Sequence, residues 1–355
     1  MSQEPRFYGH TQSGQAVYEY TLNSPSGVTL RALNYGGVIT ALEIPMPSGE
    51  RENVVLALEN LEAYESNPNF VGSLIGRYGG RLTTPVTIDG KTYQLSANDR
   101  GNCLHGGFEG FNKKIWQSQV TREGDAEILH LKYMSREGEE GFPGNLMVHI
   151  SYQLWKDGHV QIIYRAISDQ DTIVGMTQHS YFNLNPAQLD NLDHYLQIEA
   201  DSLQKTGENQ TPLDELISLE NHEITKAEGI SVIEMNRWIK ETFEDDKGID
   251  HAFHLRKLGS ESSVLPVSSV RLWNPANKLR LTLRTDYPAV VVYAGGWLGR
   301  EVTLRDKRCA RPFGGLCLEA QEIPNGPNLQ NFGLSILKKG DFYHRTCTWT
   351  FDFVE

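Results

Sequence analysis

Short segments that alternate apolar and polar side chains constrain this chain more than any other feature. Glu127-Ile128-Leu129-His130-Leu131-Lys132-Tyr133, Val160-Gln161-Ile162-Ile163-Tyr164-Arg165, Leu279-Arg280-Leu281-Thr282-Leu283-Arg284 and Thr346-Cys347-Thr348-Trp349-Thr350-Phe351 all repeat with period two and are rich in β-branched or aromatic residues. In an extended chain that period sends one set of side chains to a core and the other to solvent, which predicts half-buried strands. Asp89-Gly90 and Asp157-Gly158 each separate two such segments. Asp-Gly accepts the positive φ angles of a tight hairpin turn, so the neighbours it joins are antiparallel. Helical spacing is confined to residues 60–64 and 230–240, and the polar stretch 201–250 reads as long loops decorating a sheet. No repeat, low-complexity tract or Pro/Gly/Ser linker divides the chain. The expected fold is all-β: one large antiparallel β-sandwich over residues 1–355 with few short helices.

Charge narrows the partners. Lys and Arg number 33 against 45 Asp and Glu, a net charge of −12, which argues against nucleic acid or an anionic membrane and leaves small neutral molecules open. Cys103, Cys309, Cys317 and Cys347 have neither CxxC spacing nor the density of a disulfide scaffold, so they read as reduced thiols. The first residues lack the apolar core of a signal peptide, and no apolar run is long enough to span a bilayer. A cytoplasmic protein, monomer or homodimer, is the expectation.

Three segments stand out for chemistry. His105 lies in Leu104-His105-Gly106-Gly107-Phe108-Glu109-Gly110, where a packed element would place apolar side chains. A histidine is ordinarily a structural donor, but the two glycines behind it read as room for a ligand. In His179-Ser180-Tyr181-Phe182-Asn183, alternation puts His179, Tyr181 and Asn183 on one face, either a satisfied buried network or a polar wall. In Leu316-Cys317-Leu318-Glu319-Ala320-Gln321 the same rule aligns Cys317, Glu319 and Gln321. A carboxylate there is either desolvated, with a raised pKa suited to a general base, or paired, with a lowered one. Asp250 falls in a loop-like stretch where solvation is the ordinary state of an acid. Arg77 and Arg81, in Gly76-Arg77-Tyr78-Gly79-Gly80-Arg81, lack the Gly-Lys-Ser/Thr or dinucleotide spacing of a phosphate loop, and their forked donors suit hydroxyls or a carboxylate. No His-Glu-x-x-His or short-spaced His/Cys pair points to a metal. Trp297, after Gly295-Gly296, is placed to stack on a sugar's apolar face, but an aromatic on a β-sandwich is more often core and it is read as core.

Taken together, Asn34-Tyr35-Gly36-Gly37-Val38-Ile39, Ile75-Gly76-Arg77-Tyr78-Gly79-Gly80-Arg81, Leu104-His105-Gly106-Gly107, Gly141-Phe142-Pro143-Gly144, His179-Ser180-Tyr181-Phe182-Asn183-Leu184, Asp250-His251-Ala252-Phe253 and Leu318-Glu319-Ala320-Gln321 resemble, in order and spacing, the aldose 1-epimerase (galactose mutarotase) family across nearly the whole chain. The resemblance implies the galactose mutarotase-like sandwich and interconversion of the α and β anomers of free aldoses such as galactose or glucose, without a cofactor. It implies Glu319 as base at the C1 hydroxyl, His179 as acid at the ring oxygen, and His105 binding and polarising the sugar. Arg81 and Asp250 would hold hydroxyls, with Arg77 a further binding candidate. Such roles need His179 protonated and Glu319 ionised together, a state their mutual attraction would favour.

The chain departs from that pattern in several places. Gly80 and Gly296 stand where asparagines are common, Val291 where a glutamine is, Gln178 where an asparagine is and Asn325 where an aspartate is. Losing amides at 80, 291 and 296 implies a shifted or broadened sugar preference. The alternatives are a hexose-6-phosphate 1-epimerase, which needs more cations than two arginines, a non-catalytic carbohydrate-binding protein on the same fold, and a glycoside hydrolase using Glu319 and Asp250.

Overall fold

The computed structural model describes residues 4–188, 190, 193–244, 246–256, 268–299, 301–332 and 336–354. Three large sheets carry the architecture, and every strand ladder in them is antiparallel. Five strands from Arg6–His10 to Arg51–Asn53 form a meander in chain order. A nine-stranded sheet begins with the meander Gln117–Glu123, Ala126–Ser135, Leu146–Trp155 and Val160–Ser168. It then takes in the C-terminal strand Phe342–Phe353, which pairs with Val160–Ser168 on one side and Leu279–Thr285 on the other. A six-stranded sheet orders Tyr181–Phe182, Leu316–Gln321, Ala289–Tyr293, Asp250–Leu255, Ala200–Thr206 and Pro212–Ser218.

The period-two segments become the strands expected of them. Asp157-Gly158 closes a hairpin in which Leu154 pairs with Val160, and Asp89-Gly90 one in which Ile88 pairs with Lys91. The largest apolar cluster runs from Tyr20 to Trp349 and draws on all three sheets, including Leu30, Ile150, Val290 and Leu318. All four cysteines are free, Cys309 alone among them exposed. Among the described residues no helix is long and apolar enough to cross a membrane.

The stretch 201–250 departs from the sequence expectation of loops. It contains the strands Ala200–Thr206 and Pro212–Ser218, while the helical spacing at 230–240 becomes the helix Val232–Phe243, whose Ser231 and Glu234 form a reciprocal capping box. The charged residues that made it look loop-like ride on outward faces, while Leu203, Leu219, Ile224, Val232, Met235 and Ile239 join the core. A strand with one wet face and a short amphipathic helix both dilute the apolar signal in sequence.

Candidate active site

The strand Leu316–Gln321 is buried along its whole length. Leu316, Leu318 and Ala320 belong to the main core, so alternation turns Cys317, Glu319 and Gln321 to the opposite face. Across the ladder Glu319 lies opposite Val291 and Val291 opposite Ala252, while Tyr293 lies opposite both Cys317 and Asp250. This sheet face forms one wall of a cavity of about 240 Å³; His179 and Tyr181 continue it, and His105, Gly80 and Arg81 approach from the chain segments opposite.

His179 ends the strand Thr177–His179, which pairs with Ser73–Ile75. Its Nε2 is 3.5 Å from Glu319 Oε1 and its Nδ1 3.5 Å from Cys317 Sγ. Burial pushes the Cys317 thiol well above its usual pKa, so it stays protonated; with Nδ1–H donating to its sulfur, the neutral ring keeps the Nε2 lone pair toward Glu319. The imidazole is further enclosed by the rings of Tyr181, His105 and Phe70, at 5.1, 5.2 and 6.0 Å between centroids.

His105 adopts left-handed backbone geometry, φ 51°. Its N–H donates to the Gly80 carbonyl at 3.1 Å, and the Gly80 N–H donates to its Nδ1 at 3.2 Å. The ring is thus locked to the segment that carries Arg81. The two glycines after it do not leave room for a ligand, contrary to the sequence reading. A Cβ on Gly106 would fall 1.9 Å from the Gly76 carbonyl oxygen and one on Gly107 2.1 Å from Glu140 Oε2, so protein atoms occupy that space. Their φ values of +88° and +103° instead turn the loop that holds His105.

Of the two states the sequence left open for Glu319, raised or lowered, the sugar-free site has the raised one. Glu319 is held well above the usual carboxylate range, first by burial and then by the Asp250 charge, with Arg81 opposing; Oε2 is buried without a hydrogen-bond partner. Burial lowers His179 to about 4, and lowers His105 well below its usual value, aided by the charges of His179 and Arg81. Before any sugar enters, burial therefore pushes both partners of the Glu319–His179 pair toward their neutral forms, a carboxyl group and an imidazole, rather than toward an imidazolium facing a carboxylate. Desolvation of both partners outweighs their attraction.

Nitrogen and oxygen atoms of His105, His179 and Glu319 lie within 4.8 Å of one another, close enough to invite a metal ion. The donor set does not suit one. A ligating imidazole gives a lone pair from one nitrogen and donates N–H from the other. His105 instead receives a backbone N–H at Nδ1, which leaves its own proton on Nε2.

Arg81 lines the cavity, its Nε donating to Asp99 Oδ2 at 2.7 Å and its Nη2 to Gln210 Oε1 at 2.9 Å. Asp250 lines it from the next strand but one to Glu319. Arg77 does not reach it. Only 2% exposed, Arg77 donates to the carbonyls of Ser135, Arg136, Pro143 and Gly144 and to the hydroxyls of Ser135 and Thr172. It is a buried clamp that ties the end of the strand Ala126–Ser135 to Arg136, to Pro143-Gly144 and to Thr172. Asn183 also leaves the expected row; it donates to the carbonyls of Gln188 and Gly314, since the strand Tyr181–Phe182 has ended before it.

Other lining residues were not legible beforehand. Asp99 and Gln210, which brace Arg81, come from turns with no motif. Trp297, read as core, is 46% exposed at the cavity, with Lys247 Nζ 4.6 Å and the Arg100 guanidinium 5.9 Å from its ring. The Gly295-Gly296 pair before it was the one available signal.

An aldose 1-epimerase family model matches residues 18–350. The chain is 33% identical to the aldose 1-epimerase of Escherichia coli (strain K12) over 326 residues, 89% of each chain, and 32% identical to the Homo sapiens galactose mutarotase over 346 residues, 96% of each. The chain belongs to the aldose 1-epimerase family. The fold agrees: the galactose 1-epimerase structure from Lactobacillus acidophilus NCFM superimposes with a TM-score of 0.81 at 25% identity, covering all of both chains. As a member of the aldose 1-epimerase family the protein is an isomerase acting on sugars.

Within that family frame the departures separate into two kinds. Gly80 and Val291 line the cavity. Gly296 is required by packing, because a Cβ there would lie 1.9 Å from the Lys247 carbonyl oxygen. Gln178 donates to the Tyr152 hydroxyl and the Gly37 carbonyl, and Asn325 bonds Thr83 and the Pro212 carbonyl; both are structural.

Proposed function

We propose that the protein interconverts the α and β anomers of free neutral aldoses, galactose and glucose among them, through Glu319 and His179. The observation that carries this reading is the buried Glu319–His179 pair 3.5 Å apart, each group pushed by burial toward its neutral form, with Glu319 Oε2 unpartnered. Opening a pyranose removes the C1 hydroxyl proton and delivers one to the ring oxygen; the aldehyde then turns and closes on its other face. A pair with one proton and one vacant base does both without net gain or loss. When the C1 hydroxyl hydrogen-bonds Glu319, the carboxylate form is favoured and the pair's proton passes to His179, which gives it to the ring oxygen. His105, donating from Nε2, and the braced Arg81, with Asp250, hold the hydroxyls. His105 so oriented stays a donor, not a second acid.

Residues 1–355 act in this reading as one domain, since one apolar cluster draws on all three sheets. Four free cysteines and the charge of −12 suit a reducing cytoplasm. The hexose-6-phosphate reading gains one observation, the cations of Arg100 and Lys247 beside Trp297 at the cavity. Anomeric exchange of galactose, glucose, arabinose, xylose, fucose and glucose 6-phosphate, followed by NMR, separates the two. Several neutral sugars with comparable kcat/KM are expected; acceleration confined to the phosphate would overturn the neutral-aldose reading.

A further inference from the structure

Gln321 is fully buried, yet neither its Oε1 nor its Nε2 has a hydrogen-bond partner. An amide so placed costs free energy unless something else satisfies it. It lines the sugar cavity, two residues along the same strand face from Glu319. Its seat is made by two glycines. A Cβ on Gly79 would stand 2.6 Å from Gln321 Oε1, and one on Gly80 3.1 Å from Gln321 Nε2. The other buried amide in the cavity, Gln204, leaves only its Oε1 unpartnered, because its Nε2 is spent on the carbonyls of Leu213 and Pro324.

We propose that Gln321 contacts the substrate, its amide reading a vicinal diol of the sugar ring. A primary amide presents one acceptor and one donor side by side, which matches two adjacent hydroxyls, one donating to Oε1 and one accepting from Nε2. The small residues at 79 and 80 let the amide reach the cavity, so recognition that would otherwise need a side chain at 80 comes from the opposite wall. This assignment rests on the mutarotase reading and names the hydroxyl pattern that the same site selects.

The test compares KM and kcat for galactose and its 2-, 3-, 4- and 6-deoxy analogues in wild type, Gln321→Ala and Gly79→Ala, by NMR anomeric exchange, with thermal midpoints for each protein. Gly79 has an ordinary backbone φ, so an alanine there crowds the amide without removing it. In wild type, two adjacent deoxy sugars should show KM raised about tenfold, the worth of one hydrogen bond. In Gln321→Ala that discrimination should vanish while kcat changes little, and Gly79→Ala should shift KM the same way. A KM unchanged in both variants, or raised equally for every sugar with a lowered thermal midpoint, would overturn the proposal and leave the amide a structural or water-bound group. Absence of wild-type acceleration with any sugar would instead remove the mutarotase reading.

Discussion

Glu319 and His179 are each pushed toward the neutral form by burial, and that sets the expected pH profile. Below about pH 4, His179 takes a second proton while Glu319 keeps its own, so no base remains and kcat/KM should fall as pH drops through that value. At the alkaline end Glu319 loses the pair's only proton and the acid is gone; that limb should lie above the ordinary carboxylate range because the Glu319 pKa is raised. A broad bell in kcat/KM from about pH 4 upward is the outcome, checked by exchange NMR across buffers. A profile that rises only above pH 6.5, the ordinary imidazole range, would contradict the neutral pair. The position of Glu319 was legible because a lone carboxylate in an apolar strand has its face dictated by alternation. Its protonation state was not, since that depends on how deeply His179, Asp250 and Arg81 are buried around it.

Among the elements, the segment between Ile75 and Arg81 carries two arginines with opposite fates, and spacing alone did not separate them. Arg77 bonds four carbonyls where loops converge, so Arg77→Met should cost about 3 kcal/mol or more through carbonyls left unpaired. Thermal unfolding should record that loss, with KM unchanged in the protein that remains folded; a raised KM at an unchanged thermal midpoint would return Arg77 to the sugar site. The helix Val232–Phe243 hangs on its capping box, and Ser231→Ala should lower stability by about 1 kcal/mol in urea titration. That helix and the strands before it were poorly legible because their apolar residues are thinly spaced among charges. The hairpins at Asp89-Gly90 and Asp157-Gly158 were legible because turn chemistry and period two agreed.

At the scale of the whole molecule, residues far apart in sequence meet because the six-stranded sheet stacks Leu316–Gln321 against Tyr181–Phe182 and Ala289–Tyr293. The sandwich class follows from many short alternating segments; which face of which strand meets His105 does not, and the motifs alone brought those segments together. In the proposed mechanism a single proton shared by Glu319 and His179 drives anomer exchange. Polarimetry of freshly dissolved α-D-galactose with wild type, His179→Gln and Glu319→Gln tests it most directly. Wild type should hasten the approach to anomeric equilibrium, and each variant should lose about 100-fold or more of kcat while keeping its fold by circular dichroism. Full acceleration by the Glu319→Gln protein would contradict the account.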